Sequence, residues 1–89
     1  MDSSMTWQEV REQYAHQWVL VEAVGATTVG DKRVVQQMVL VGAYENGREA
    51  MREYLRLHKE HRARELYVVH ADTEQLEITE KTWLGIRAA

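Results

Sequence analysis

The chain has 89 residues, 45% hydrophobic and 28% charged, which is the composition of one globular domain and argues against disorder. Its net charge of −3, with acidic and basic residues interleaved, gives no electrostatic reason to expect a nucleic acid or an anionic membrane as partner. There is no cysteine, which fits a reducing compartment, and no apolar run approaches the ~18 residues that span a membrane, so we expect a cytoplasmic protein.

The N-terminal residues predict a short helix behind a disordered leader. Residues 1–5 contain little that can pack, so a single domain is expected over residues 6–87. Thr6 is the expected N-cap, because Glu9 stands three residues later at the capping-box position. Apolar side chains then recur at helical spacing, and a helix this short must dock them to be stable: Trp7, Val10 and Tyr14.

Two apolar segments, residues 17–24 and 34–44, predict a long antiparallel hairpin. Gly30 and Asp31 have the composition of its turn, and Gly25 suits a bulge. Both faces are expected to be apolar. One carries Trp18, Leu20, Val24, Val35, Val39 and Val41, and the other carries Val19, Val21, Ala23, Val34, Met38 and Leu40. Because one helix covers only one face, we expect another element or another chain on the second.

The segment after the hairpin predicts the main helix. Asn46 is the expected N-cap, with Glu49 at the capping-box position, and residues 48–62 contain no Gly, Pro or β-branched residue. The expected packing side consists of Ala50, Met51, Tyr54, Leu55, Leu57, His58 and His61. On the outer side, opposite charges three residues apart are expected to pair: Glu45 with Arg48, Glu49 with Arg52, and Glu53 with Arg56.

The C-terminal third predicts one clear strand over residues 66–71 and a weaker, solvent-facing one over residues 76–81, followed by an apolar clip of Trp83, Leu84 and Ile86. The expected order is α-β-β-α-β-β. We therefore predict an α+β fold: a small antiparallel sheet of three or four strands, with a long N-terminal hairpin, packed with one main amphipathic helix and a short N-terminal helix.

Three histidines are candidate metal ligands. His58 and His61 stand three residues apart on the main helix, and His70 or a carboxylate would supply a third ligand. The alternative is a packing role at the edge of the apolar face, in which the imidazoles respond to pH. The spacing matches no zincin-like motif. A cluster of acids after the third strand could do acid/base work or bind a hard cation, but its spacing matches no calcium loop, and acids on an exposed turn usually only solvate it: Asp72, Glu74, Glu77 and Glu80.

Catalytic and phosphate-binding motifs are missing from the sequence. The five glycines are scattered, and there is no nucleophile elbow, P-loop or dinucleotide fingerprint. The cations of the main helix are a further candidate, for phosphate contacts, but the glutamates between them favour a solvated, salt-bridged face. We therefore expect neither an enzyme nor a cofactor.

Aromatic and apolar residues are the candidate interface. Three tryptophans and four tyrosines are more than a small core needs, and such side chains are either core anchors or interface residues. Together with the two-faced hairpin they indicate contact with another chain. The candidate interface residues are Trp7, Trp18, Val39, Val41 and Trp83.

The chain resembles a group of short bacterial proteins, cyanobacterial examples among them, that have no assigned function. The resemblance rests on residues 6–11 (TWQEVR), 17–23 (QWVLVEA), 66–70 (LYVVH) and 83–87 (WLGIR). It covers nearly the whole chain after Met5. It implies a bacterial origin and assigns no role to any residue.

From the sequence we expect a non-enzymatic interaction module that forms a homodimer or binds another protein, as an adaptor or antitoxin does. The alternative is a small-molecule or metal-binding domain that uses the helix histidines.

Overall fold

The computed structural model describes residues 4–79 of the chain. In order, the elements are α1 (Trp7–Gln13), β1 (Trp18–Val29), β2 (Lys32–Tyr44), α2 (Gly47–Glu60), β3 (Leu66–His70) and β4 (Glu77–Thr79). The α+β prediction is confirmed, and the order of elements agrees from α1 to β3. Within residues 4–79, no helix is long and apolar enough to cross a bilayer.

The sheet is antiparallel, with the strands in the order β3-β1-β2-β4. β1 and β2 form the predicted hairpin, which turns at Gly30 and Asp31. The register shifts on both sides of Gly25, which confirms the bulge predicted there. Because the bulge lets pairing continue, β1 extends to Val29 rather than ending at Val24.

The first half of β1 is buried on both faces. Val19, Leu20 and Val21 are each 0% exposed, and successive side chains of a strand point to opposite faces. α2 begins on the face of Leu20 and Trp18, because a Cβ added at Gly47 would stand 3.2 Å from the Trp18 ring. We assign the other face, that of Val19 and Val21, to α1, which contacts β2. On this assignment the second face, for which the sequence suggested another element or another chain as a cover, is covered by α1.

The start of α1 has the predicted capping box. The Glu9 amide donates to the Thr6 hydroxyl at 3.3 Å, and the Thr6 amide donates to the Glu9 carboxylate at 2.9 Å. Met5, expected to belong to a disordered leader, instead pairs with β2. Its amide donates to the Met38 carbonyl at 2.6 Å, and the Met38 amide donates back at 2.9 Å. The last residue of the predicted leader therefore pairs with the sheet. The sequence did not indicate this, because backbone pairing requires no particular side chain.

α2 begins as predicted, since the Asn46 side chain accepts from the Glu49 amide at 2.9 Å. Its packing side is narrower than predicted. Ala50, Tyr54 and Leu57 are buried, whereas Leu55 is 44% exposed. Its assignment to the packing side was wrong, because it lies about 160° around the helix from Leu57.

The predicted charge pairs on α2 are formed only in part. Arg56 bonds the Glu53 carboxylate as expected, and it also lies 3.5 Å from Glu60. Arg48 and Arg52 have no carboxylate within 4.0 Å among the described residues, so two of the expected pairs are not formed. Glu53 lies half-buried at the flank of the helix, where the long Arg56 side chain reaches it.

The C-terminal part agrees with the sequence as far as the structure describes it. β3 forms over Leu66–His70 and pairs with β1. β4 is short and pairs with Lys32–Val34 at the outer edge of β2. Leu76, predicted to begin a solvent-facing strand, is buried and lies just before β4. Residues 80–81 of the predicted strand and the apolar clip lie outside the described residues.

The hairpin turn gives the first testable prediction. Gly30 has a φ of 64°, and nothing lies within 4 Å of a Cβ added there, so a substitution acts through the backbone alone. Gly30→Ala is expected to lower the free energy of unfolding by about 1 kcal/mol, the cost of left-handed backbone for a residue with a Cβ. Urea unfolding followed by circular dichroism measures it.

Gly30→Asn is the control, because asparagine tolerates the left-handed region. It should lose clearly less stability than the alanine variant. Equal losses in both would show that the turn is not held by backbone conformation.

Candidate interaction surface

The predicted interface residues have different environments. Trp7 is only 8% exposed, and its indole N–H donates to the Thr73 carbonyl at 2.8 Å, so it anchors α1 to the segment after β3. Trp18 is half-buried, with its ring edge-on to His70 at 5.1 Å. Val39 and Val41 are half-buried on β2. Trp83 lies outside the described residues.

The candidate metal ligands lie in separate surroundings. His58 stacks on Tyr54 with ring centroids 5.5 Å apart, and His70 lies against Trp18 while its Nδ1 accepts from the Asp72 amide at 3.1 Å. His61 is exposed at the end of α2. Within residues 4–79, no group of three His, Cys, Asp or Glu side chains is placed to hold a metal ion. The acids Asp72 and Glu74 are exposed.

A surface pocket of about 350 Å³ lies between α1 and the end of β3. Its lining residues are Gln8, Arg11, Glu12, Ala15, His16, Ala71 and Asp72. Arg11 donates to the carbonyls of Ala71 and Glu74, each at 3.3 Å. His16 contacts Asp72 at 2.9 Å. These polar groups hold the end of α1 to the segment after β3.

His16, which lines this pocket and contacts Asp72, was not predicted from the sequence to belong to a candidate site. It is a non-glycine residue with a φ of 64°, a conformation that histidine adopts more often than most residues do. No spacing rule connects it to Asp72, which is 56 positions away. Only the fold brings the two together.

The outer edge of β2 is only partly paired within the described structure. β4 pairs with this edge at Lys32–Val34, and Met5 pairs with it at Met38. From Val39 to Tyr44, no residue in the described part of the chain pairs with it. This segment, residues 39–44, has the sequence VLVGAY, carries no charge, and is half-buried at every position. We call it the open edge.

The open edge ends at a close contact. A Cβ added at Gly42 would overlap the hydroxyl and ring of Tyr44, so the Tyr44 ring lies across the strand over Gly42. Burial, and secondarily the charge of Glu53, raises the pKa of Tyr44. The end of the open edge therefore lies beside α2.

A polar cluster joins β2 to the start of β3. The Arg33 guanidinium bonds both oxygens of Glu65, at 2.9 and 3.0 Å, and the Tyr67 hydroxyl donates to Glu65. The hydrogen bonds to Glu65 raise the pKa of Arg33. Burial, followed by the hydrogen bond to Glu65, raises the pKa of Tyr67. The hydrogen bonds of Arg33 and Tyr67 to Glu65 thus join the two strands.

Comparison of the chain with models of known protein families, with curated proteins and with solved structures found no match. The case for a function therefore depends on the surfaces of the molecule.

The polar cluster predicts how stability depends on pH. Because folding raises the pKa of Tyr67, its neutral form is favoured in the folded state. The stability that it contributes is complete below the ordinary phenol pKa of 10.0 and is lost as the pH rises further. When the pH rises from about 9 to 11, we expect the free energy of unfolding to fall less for Tyr67→Phe than for the wild-type chain. This range brackets the ordinary tyrosine pKa of about 10. Urea unfolding at each pH measures this.

Tyr14→Phe is the matched control, because Tyr14 is half-buried and its hydroxyl bonds no carboxylate among residues 4–79. It should follow the wild-type profile. A Tyr67→Phe profile parallel to that of the wild type would contradict the role of the cluster.

Proposed function

We propose that the protein is a non-enzymatic interaction module that forms a homodimer by pairing the open edges of two copies. The observation that carries the proposal is the open edge itself. It is an uncharged, half-buried strand segment for which residues 4–79 supply no partner. An unpaired strand edge presents backbone donors and acceptors that another strand satisfies.

The length and symmetry of the open edge suit a second copy. Two identical strands that pair antiparallel obey twofold symmetry, so Val39 of one copy lies opposite Tyr44 of the other. No charge occurs within the segment, and Glu45 of one copy falls beside Met38 of the other rather than beside a second glutamate. Pairing therefore brings no like charges together.

Half-exposed apolar side chains would supply the remaining contact. Val39, Leu40, Val41 and Tyr44 are each half-buried in the single chain, and burying their exposed parts stabilises a dimer at about 25 cal/mol per Å². Lysine and proline, which commonly protect strand edges, do not occur in the segment. The register shift opposite Leu20 and Val21 bends the strand there, so the pairing would be strongest on either side of the bend.

The outer edge of β3 also has no partner among residues 4–79. It fits a dimer less well, because Leu66, Tyr67 and Val69 are already buried and offer little apolar side-chain area. We therefore assign the dimer interface to the open edge of β2.

Light scattering across a micromolar dilution series tests the proposal. We expect a mass that approaches twice the 10.4 kDa of the chain as the concentration rises. Val39→Lys and Val41→Lys should each weaken the dimer by about tenfold or more, because each places an unpaired charge in the interface.

Val29→Lys is the matched control. Val29 is 64% exposed at the tip of the hairpin, so the same substitution adds the same charge away from the open edge and should leave the dimer unchanged. A monomer at every concentration would refute the proposal. A dimer that dissociates in EDTA would instead favour a metal site at the histidines.

A further inference from the structure

On the solvent-facing side of α2, basic side chains lie in a row apart from the glutamates of the helix. Arg48, Arg52, Leu55 and Lys59 recur at spacings of four, three and four residues, which places them in one row along a helix. All four side chains are exposed. We call this row the basic stripe.

The cations of the basic stripe form no ion pair within the described part of the chain. Arg48, Arg52 and Lys59 have no carboxylate within 4.0 Å among residues 4–79. On the adjacent flank, by contrast, Arg56 already bonds Glu53 and lies 3.5 Å from Glu60. The glutamates of α2 are therefore not interleaved with the stripe in space, although they are in sequence.

Leu55 lies between these cations. It is 44% exposed, while Ala50, Tyr54 and Leu57 make the contact of α2 with the core. An exposed leucine between Arg52 and Lys59 adds an apolar contact to a surface that is otherwise cationic. A single exposed leucine needs no explanation by itself, but here it occupies the middle of the row.

We propose that the basic stripe binds an acidic segment of a partner protein, with an apolar residue between its carboxylates. Charge complementarity supports this occupant: three cations that have no carboxylate partner among residues 4–79 span about 16 Å along the helix axis, a distance covered by about five residues of extended chain. The apolar residue of the segment would contact Leu55. The inference does not depend on the proposed dimer.

An acidic peptide fits this surface better than a nucleic acid does. The chain carries a net charge of −3, and Glu49, Glu53 and Glu60 adjoin the stripe on the same helix. A continuous phosphate backbone would meet these carboxylates, whereas a short peptide can follow the row of cations. A duplex also has no apolar group in its backbone to match Leu55.

A second copy of α2 is a poorer occupant than an acidic segment. When two helices pack antiparallel about a twofold axis, the same flank of each helix meets its own counterpart. The basic stripe would then face another basic stripe, which is destabilising.

Fluorescence anisotropy with a labelled synthetic peptide tests the proposal. The probe is a short peptide of glutamates around a central leucine, and saturable binding that weakens with added salt is expected. The double variant Arg52→Gln, Lys59→Gln should bind about fivefold or more weakly. Leu55→Gln should weaken the same probe while leaving unchanged the binding of a peptide with glycine in place of leucine.

Thr27→Glu is the charge-matched control for a single Arg52→Gln variant. Both make the chain more negative by one charge, and Thr27 is exposed on β1, away from α2. Its binding should equal that of the wild type. Circular dichroism of each variant verifies the fold.

Three results would overturn the proposal. The first is the absence of saturable binding by the wild-type chain. The second is equal weakening by Thr27→Glu and Arg52→Gln, which would show an effect of net charge only. The third is tighter binding of a DNA duplex or of phosphatidylserine vesicles than of the peptide, with no effect of Leu55→Gln, which would make the stripe a general anion surface.

Discussion

The burial of β1 on both faces is the constraint on which the rest of the structure depends. Val19, Leu20 and Val21 are consecutive and fully buried, so the chain must place a layer on each side of the strand. α2 supplies one layer and we assign the other to α1, while β2 and β3 pair with the two edges of β1. In a chain of 89 residues, where little surface can be buried, concentrating the core on one strand leaves the outer strands incompletely covered.

Signals within a few residues of each other predicted much of this fold. The caps at Thr6 and Asn46, the turn at Gly30 and the bulge at Gly25 each depend on neighbours in sequence, and local chemistry is sufficient to place them. The position of α1 was not predictable in this way. Periodicity shows that a helix has an apolar side, but it does not show which face of a sheet that side covers.

The candidate surfaces show the same limit of prediction from neighbouring residues. Val39 and Val41 were named from the sequence because of their apolar character, but their place in the proposed dimer depends on their position at a strand edge, which only the strand order reveals. Trp7 was named for the same reason and is a core residue. The separation of charge on α2 also requires the structure, because Arg56 pairs with Glu53 and Glu60 while Arg48 and Arg52 do not form the pairs that their spacing predicts.

The contacts of α1 have a consequence for synthesis on the ribosome. The Trp7 indole bonds Thr73, 66 positions later, and Arg11 bonds Ala71, 60 positions later. The hairpin and α2 can assemble from local contacts as they emerge, but the bonds from α1 to the segment after β3 cannot form until that segment has left the exit tunnel. Until then α1 depends on the pairing of Met5 with β2 and on its contacts with that strand, so this is the interval in which the growing chain is most open to aggregation or chaperone capture.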